Sequence, residues 1–167
     1  MYVEYLFIIL DYFSTLNRKI FIYEWGIPIL LGCTSGYLYV YQEINLYLFV
    51  AESITFIVTL LGFTLATLTL FLTNNSPLEK IKQLDSRKKV RGQPISLYRL
   101  LVINYSYLII IESILCISFY IGKLFSPICI GEFSMTLNCI YITITFHILF
   151  MTIRSITDLY FVVSREK

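Results

Sequence analysis

Four long apolar runs are the feature that most constrains how this 167-residue chain can fold. Each is longer than the roughly 20 residues that a helix needs to cross about 30 Å of hydrocarbon. They are also too long and too uniformly apolar to be the alternating strands of a membrane barrel. The sequence therefore predicts four transmembrane helices, at Ile20–Tyr41, Leu46–Thr73, Leu97–Ile121 and Met135–Val163.

The composition agrees with this interpretation. Hydrophobic residues make up 57% of the chain and charged residues 14%, whereas a soluble domain carries about 25% charged residues. A soluble fold of this size needs more charge to cover its surface, so a soluble enzyme domain, a disordered chain and a disulfide scaffold are excluded. We expect an all-α integral membrane protein, a four-helix bundle.

The N-terminal residues 1–19 differ from the spans. Their apolar stretch, Tyr5–Leu10, is too short to cross a bilayer, and Glu4 and Asp11 share one helical face. We predict a short interfacial helix that lies on the membrane; the alternative is an arm buried against the bundle. No secretory signal peptide is expected, because the start lacks a basic segment and a cleavage site. Large rings suited to an interface are Tyr2, Phe7, Tyr12 and Phe13.

Residues 20–167 are predicted to form one four-span membrane domain, with a basic loop at residues 74–96. If this loop is cytoplasmic, every Lys and Arg of the chain except Lys123 lies on the cytoplasmic side. Since Lys and Arg concentrate in cytoplasmic loops, we predict that both termini are cytoplasmic (N-in and C-in).

Within the loop, Leu78, Ile81 and Leu84 recur at helical spacing after Pro77. This pattern predicts a short amphipathic helix with Ser76 as its N-cap. The loop then reverses at Gly92-Gln93-Pro94.

The loop cations have three interpretations. They can be topogenic residues that contact lipid, a docking site for a cytoplasmic partner, or a nucleic-acid surface. The positive-inside rule already explains them, so direct binding of nucleic acid is not expected. The candidate partner-docking residues are Lys80, Lys82, Arg87, Lys88, Lys89 and Arg91.

The second span, the predicted helix Leu46–Thr73 (α4), carries a heptad-spaced stripe of small and polar residues, here named the α4 seam. Small residues allow helix backbones to approach closely in a membrane. The seam therefore predicts a helix contact, either within the monomer or around the axis of a homo-oligomer whose pore it lines. The α4 seam consists of Glu52, Thr55, Thr59, Gly62, Ala66, Thr69 and Thr73.

Two polar pairs are predicted in the third and fourth spans. Glu112 and His147 lie at similar depths, so they could form a clasp that fixes helix register, or part of a proton or ion path. Arg154 and Asp158 are spaced i, i+4 and can form an ion pair near the inner leaflet.

The chain carries no catalytic or metal-binding motif. Cys33, Cys116, Cys129 and Cys139 form no CxxC pair, and His147 is the single His. We therefore expect no metal site and no cofactor. Metalloprotease, nucleophile-elbow, phosphate-loop and dinucleotide motifs are absent from the sequence, so we expect a protein that is not an enzyme.

Three stretches carry a resemblance to a known family: Tyr23–Pro28, Gly62–Leu70 and Asn75–Leu78. With the four-helix architecture, they resemble the membrane subunits of bacterial Kiwa anti-phage defence systems. The resemblance implies an oligomeric sensor in the bacterial inner membrane that works with a cytoplasmic effector partner. It carries over no functional residue, since none of the three stretches is a catalytic motif.

Three functions remain open at this point. The first is a defence-system membrane subunit that senses envelope change and signals to a cytoplasmic effector. The second is a small oligomeric ion channel or pore lined by the α4 seam. The third is an immunity protein against a pore-forming toxin.

Overall fold

A computed structural model describes residues 2–41, 46–73, 81–125 and 132–164. Most of these residues are helical, and three helices are long and apolar enough to cross a membrane. The three segments are Glu52–Leu72, Leu97–Leu124 and Thr136–Tyr160. The prediction of a mainly helical, multi-pass membrane protein is therefore supported by three of its four predicted spans.

The first predicted span is helical, and five residues near its start form a π-helix instead of an α-helix. Helix α1 is Tyr2–Thr15, α2 is Arg18–Phe21, a π-helix occupies Ile22–Gly26, and α3 is Ile27–Tyr41. Asn17 has extended backbone and separates α1 from α2. The residues at both ends of the π-helix keep right-handed helical dihedrals. Residues 18–41 therefore form one continuous helical segment with a π-helix near its start.

The other three spans are long helices. Helix α4 is Leu46–Leu72, α5 is Leu97–Phe125 and α6 is Glu132–Ser164. Helix α3 packs along α6, α4 packs along α5, and α5 contacts α6. The contacts thus link the helices in the order α4, α5, α6, α3. Since α4 lies at one end of this row, one of its faces is left uncovered.

Two glycines on α3 allow its close approach to α6. A methyl group at Gly32 would overlap Thr143, and one at Gly36 would overlap Cys139. The two glycines are four residues apart and share a helix face, the small-xxx-small spacing of closely packed membrane helices. This contact fixes α3 against α6, and the sequence analysis did not single it out.

The described part of the basic loop forms a β-hairpin. Strand β1 is Asp85–Val90, and β2 is Gln93–Ser96, paired antiparallel. Arg91 and Gly92 form the two-residue turn with φ of 51° and 81°. Positive φ at both positions is the type I′ geometry that matches the twist of a hairpin, and glycine adopts it without a steric cost.

The hairpin follows the segment for which the sequence predicts an amphipathic helix, and residues 81–83 of that segment are helical. Helical backbone is confined to residues 81–83 within the described part, while Ser76, Pro77 and Leu78 lie outside the described residues. Val90 and Ile95 are buried against the helices and anchor the strands. Because the strands are otherwise polar, the period-2 pattern that identifies a strand is weak here.

One side of helix α1 is buried against the chain, and the other side is exposed. Tyr12 is fully buried, and α1 packs against α5 and β1. Tyr5, Leu6 and Leu10 remain 54%, 59% and 59% exposed. Large apolar side chains this exposed are costly in water but stable at a lipid interface. Helix α1 is thus packed against the chain, as in the alternative of a packed arm, and its exposed apolar side leaves the interfacial position a prediction.

Candidate functional site

A buried acidic residue lies at the end of the molecule where the hairpin packs. Glu24, in the π-helix, is fully buried. Its Oε1 lies 2.6 Å from Nη1 of Arg154. The two groups form an ion pair, but their geometry does not meet the criteria for a hydrogen bond. Its Oε2 accepts a 2.6 Å hydrogen bond from the Tyr12 hydroxyl. A carboxylate out of water needs such partners, and here they come from α6 and α1.

Arg154 bridges two carboxylates. Besides its contact with Glu24, its Nε lies 3.9 Å from Oδ2 of Asp158, the predicted i, i+4 partner. The Asp158 side chain is 36% exposed, whereas that of Glu24 is fully buried. The contact of Arg154 with Glu24 is shorter and less exposed to solvent than its contact with Asp158. The Glu24 carboxylate therefore has the larger influence on the position of the guanidinium.

Tyr12 joins α1 to this site. Its ring stacks on Tyr107 with centroids 3.7 Å apart. Burial and the negative charge of Glu24 raise the pKa of the Tyr12 hydroxyl above its ordinary value, so the hydroxyl keeps its proton. It therefore remains the donor in its bond to Glu24.

His147 completes the buried cluster. Its Nδ1 lies 2.7 Å from the backbone carbonyl of Glu24, and its Nε2 lies 3.1 Å from the Tyr107 hydroxyl. A carbonyl can only accept, so Nδ1 carries the proton and Nε2 accepts from Tyr107. The ring also lies against Trp25, with centroids 4.1 Å apart. We name this cluster the Glu24 network: Tyr12, Glu24, Tyr107, His147 and Arg154.

The predicted clasp between Glu112 and His147 is not formed. Glu112 is fully buried on α5, and its Oε2 lies 2.7 Å from Oγ1 of Thr64 on α4. His147 instead contacts Glu24 of the π-helix and Tyr107 of α5. Counting residues along two helices gives depth, but it does not give the rotation of each helix about its axis.

Thr64 also contacts the carbonyl of Leu60 at 2.5 Å. A hydroxyl has one proton, so it cannot donate to both the carbonyl and an ionised Glu112. A neutral Glu112 satisfies both contacts, because its acid proton goes to Thr64 and the hydroxyl proton goes to Leu60. Neutrality also avoids a buried carboxylate without a cation in the membrane.

Two cations of the hairpin bind α1. Lys88 Nζ donates a 2.9 Å hydrogen bond to the Thr15 carbonyl, and Arg91 Nε lies 2.9 Å from Oδ1 of Asp11. The Arg91 guanidinium also lies over the Phe7 ring, 4.6 Å from its centroid. Burial and the neighbouring Arg154 lower the pKa of the Lys88 ammonium. Part of the predicted partner-docking set is therefore engaged within the chain.

The other members of that set differ in position. Lys82 lies over the ring of Tyr98, 5.5 Å from its centroid. Arg87 and Lys89 are exposed on the hairpin, and Lys80 lies outside the described residues. Arg87 and Lys89 are therefore open to contacts outside the chain.

The α4 seam faces away from the rest of the chain. All seven of its residues are exposed, and an added Cβ on Gly62 would meet nothing within 4 Å. Its packing within the monomer is therefore not observed. Instead, Thr64 and Thr67, which lie off the seam, are buried. The hydroxyls of Thr59 and Thr69 donate to carbonyls of their own helix, so they need no external partner.

The chemistry available at the Glu24 network is charge pairing and hydrogen bonding. Within the described ranges, no group of three His, Cys, Asp or Glu side chains could hold a metal ion. The network ties α1, the π-helix, α5 and α6 together through polar contacts. Within the network, the hydrogen bond from Tyr12 to Glu24 and the stacking of Tyr12 on Tyr107 are the contacts that a movement of α1 would break.

Glu24 is the main residue that sequence reasoning missed. It lies inside the first apolar run, and Arg154 is a cation inside the fourth; two opposite charges buried in separate spans favour a pair.

Comparisons with protein-family models, with curated proteins and with solved structures give no match.

Proposed function

We propose that this protein is a non-enzymatic membrane subunit of a bacterial anti-phage defence system. It senses a change in the envelope through α1 and signals through the hairpin to a cytoplasmic effector. The observation that carries the proposal is the double attachment of α1: Tyr12 binds Glu24 in the helices, and Thr15 binds Lys88 in the hairpin. A displacement of α1 therefore acts on both.

The proposal includes a four-helix domain in the bacterial inner membrane, with both termini in the cytoplasm. The hairpin, Arg18, Lys19 and Arg99 belong to the same end of the helices as α1. The concentration of cations at that end favours the cytoplasmic side. In this orientation α1 lies in the inner leaflet interface, with its exposed apolar residues in lipid.

The hydrogen bond between Tyr12 and Glu24 is weak enough to be broken and formed again. A hydrogen bond to a charged group contributes about 1.5–3 kcal/mol, so a perturbation of that size in the membrane can release Tyr12 from Glu24. Thinning or stretching of the bilayer changes the depth at which an amphipathic helix is stable. Release of α1 then frees Lys88 and Arg91 from their α1 partners. The exposed Arg87 and Lys89 are the proposed contacts for an acidic partner surface.

A homo-oligomeric ion channel is the second candidate. The observation that favours it is the outward-facing α4 seam, whose small residues suit close packing around an axis. In this alternative, Glu52 forms a ring at the outer mouth.

One experiment separates the two candidates. The full-length protein, with Cys33, Cys116, Cys129 and Cys139 replaced by Ala, carries a single new cysteine at Thr15 and is reconstituted in dye-loaded liposomes. The liposomes are stretched by osmotic downshift in the presence of a membrane-permeant maleimide. Thr15 is buried, and the neighbouring Ser14 is exposed on the same helix, so Ser14→Cys is the matched control.

The sensor proposal predicts that stretching raises the labelling rate of Thr15→Cys at least fivefold, leaves that of Ser14→Cys unchanged, and releases no dye. Adding Tyr12→Phe should lower the osmotic threshold for labelling. Dye release with unchanged Thr15→Cys labelling would favour the channel. Unchanged labelling and retained dye would contradict the sensor.

A further inference from the structure

A cavity lined by both polar and apolar residues lies beside the Glu24 network, between α1, the hairpin, α5 and α6. Its volume is about 220 Å³, room for roughly seven water molecules at about 30 Å³ each. The charged side chains on its lining are Lys88, Arg154 and Asp158. The lining thus carries two positive charges and one negative charge, and one of the two cations, Arg154, is already paired with Glu24 outside the lining.

An amide on the lining has no partner within the chain. Asn104 is fully buried, and neither its Oδ1 nor its Nδ2 makes a hydrogen bond. A buried amide left unpaired costs about 1–3 kcal/mol, so it is expected to bind whatever occupies the cavity. Its Nδ2 supplies two N–H donors.

The other groups around the cavity also favour an anion. Lys88 donates one N–H to Thr15, which leaves two of its three donors for an occupant. Leu97 and Leu100, in the first turn of α5, line the cavity, so the positive end of a 29-residue helix dipole lies beside it. Burial and the charge of Arg154 lower the pKa of Lys88, and an anion here would offset the repulsion between the two cations.

We propose that this cavity binds a phosphate group through Lys88, Asn104 and Arg154. The occupant is the phosphate of a lipid headgroup or free phosphate, since both present the same oxygens to these donors. Asp158 lies on the same lining and opposes the bound anion. The proposal goes beyond the sensor function and does not depend on it.

The test uses full-length, delipidated protein in detergent and measures dissociation constants by calorimetry. Three probes are compared: dihexanoyl-phosphatidylglycerol, inorganic phosphate, and dihexanoylglycerol, which has the same chains without phosphate. Lys88→Gln removes the lining cation. Lys89→Gln makes the same charge change at the adjacent, exposed residue and is the matched control.

We expect the two phosphate probes to bind and dihexanoylglycerol to bind at least tenfold more weakly than the lipid phosphate. Lys88→Gln should raise the dissociation constant at least tenfold, and Lys89→Gln less than twofold. Lys88→Arg should keep binding, and Asp158→Asn should tighten it severalfold. A lipid preference of tenfold or more over inorganic phosphate identifies the headgroup as the source, whereas equal binding identifies free phosphate.

Three results would overturn the proposal. One is equal binding of dihexanoylglycerol and the lipid phosphate, which would make the cavity an apolar site for acyl chains. Another is an unchanged affinity in Lys88→Gln, with the variant folded as judged by its elution and helical content. The third is an absence of binding by both phosphate probes.

Discussion

The Glu24 network and the α4 seam are both sets of polar or small residues in apolar helices, but they have opposite surroundings. The network is buried, and its charges and ring nitrogens meet partners from other elements. The seam is exposed, and the hydroxyls of Thr59 and Thr69 are bonded to their own helix. The network therefore stabilises a single chain, whereas the seam leaves a face open for a second copy or for lipid.

The largest expected effect comes from removing one partner of the network. Arg154→Met leaves the buried Glu24 carboxylate without its cation, which costs about 3–5 kcal/mol of unfolding free energy. Arg99→Met removes an exposed cation from the same end of the molecule and should cost less than about 0.5 kcal/mol. Reversible unfolding in bicelles measures both. A loss for Arg154→Met as small as that for Arg99→Met would show that the network is not a stabilising unit.

The second largest effect is expected on the face of α3 that carries Gly32 and Gly36 and packs against α6. Gly36→Leu drives a side chain into Cys139 on α6, and overpacking of this kind costs about 1–3 kcal/mol. The same unfolding assay measures it. An unchanged stability of Gly36→Leu would mean that α3 and α6 are not in close contact.

The third effect concerns the uncovered seam. An added Cβ at Gly62 meets nothing within 4 Å in the monomer, so Gly62→Leu should not destabilise the monomer, because leucine is also a better helix former than glycine. If the seam joins copies of the chain, association should weaken at least tenfold, while Val58→Leu, exposed but off the seam, should leave it unchanged. Single-molecule photobleaching in liposomes counts the copies. Unaltered association in Gly62→Leu would assign the seam to lipid.

The smallest effect is expected at Glu112. Glu112→Gln keeps the shape of a neutral carboxylic acid and its donor to Thr64, so stability should change by less than about 0.5 kcal/mol. Thr64→Val removes the partner and should cost more, about 1–3 kcal/mol. Unfolding free energies of the two variants give the comparison. A larger loss in Glu112→Gln than in Thr64→Val would indicate an ionised Glu112.

The sequence predicts the helical spans well because their signal is one-dimensional. Predicted Leu46–Thr73 and Leu97–Ile121 correspond to observed helices Leu46–Leu72 and Leu97–Phe125. Length and apolarity decide whether a segment enters a membrane, and both are read directly along the chain.

The candidate site is harder to predict because it depends on helix rotation and on which helices are neighbours. Depth counting placed Glu112 near His147, but Glu112 faces α4 and His147 faces the π-helix. The seam pattern identified a distinct face of α4 but not what covers it. The hairpin was missed because Val90 and Ile95 are its only buried apolar strand residues in the described part of the chain, too few for a period-2 pattern.

The central claim is that Glu24 and Arg154 act as one buried unit that holds the network together. A double-mutant cycle with Glu24→Gln, Arg154→Met and the combined variant tests it through unfolding free energies in bicelles. We predict that each single change strands its partner and that the double change costs at least about 2 kcal/mol less than the sum of the two. Losses that add within about 0.5 kcal/mol would contradict the claim, because independent sites add in this way.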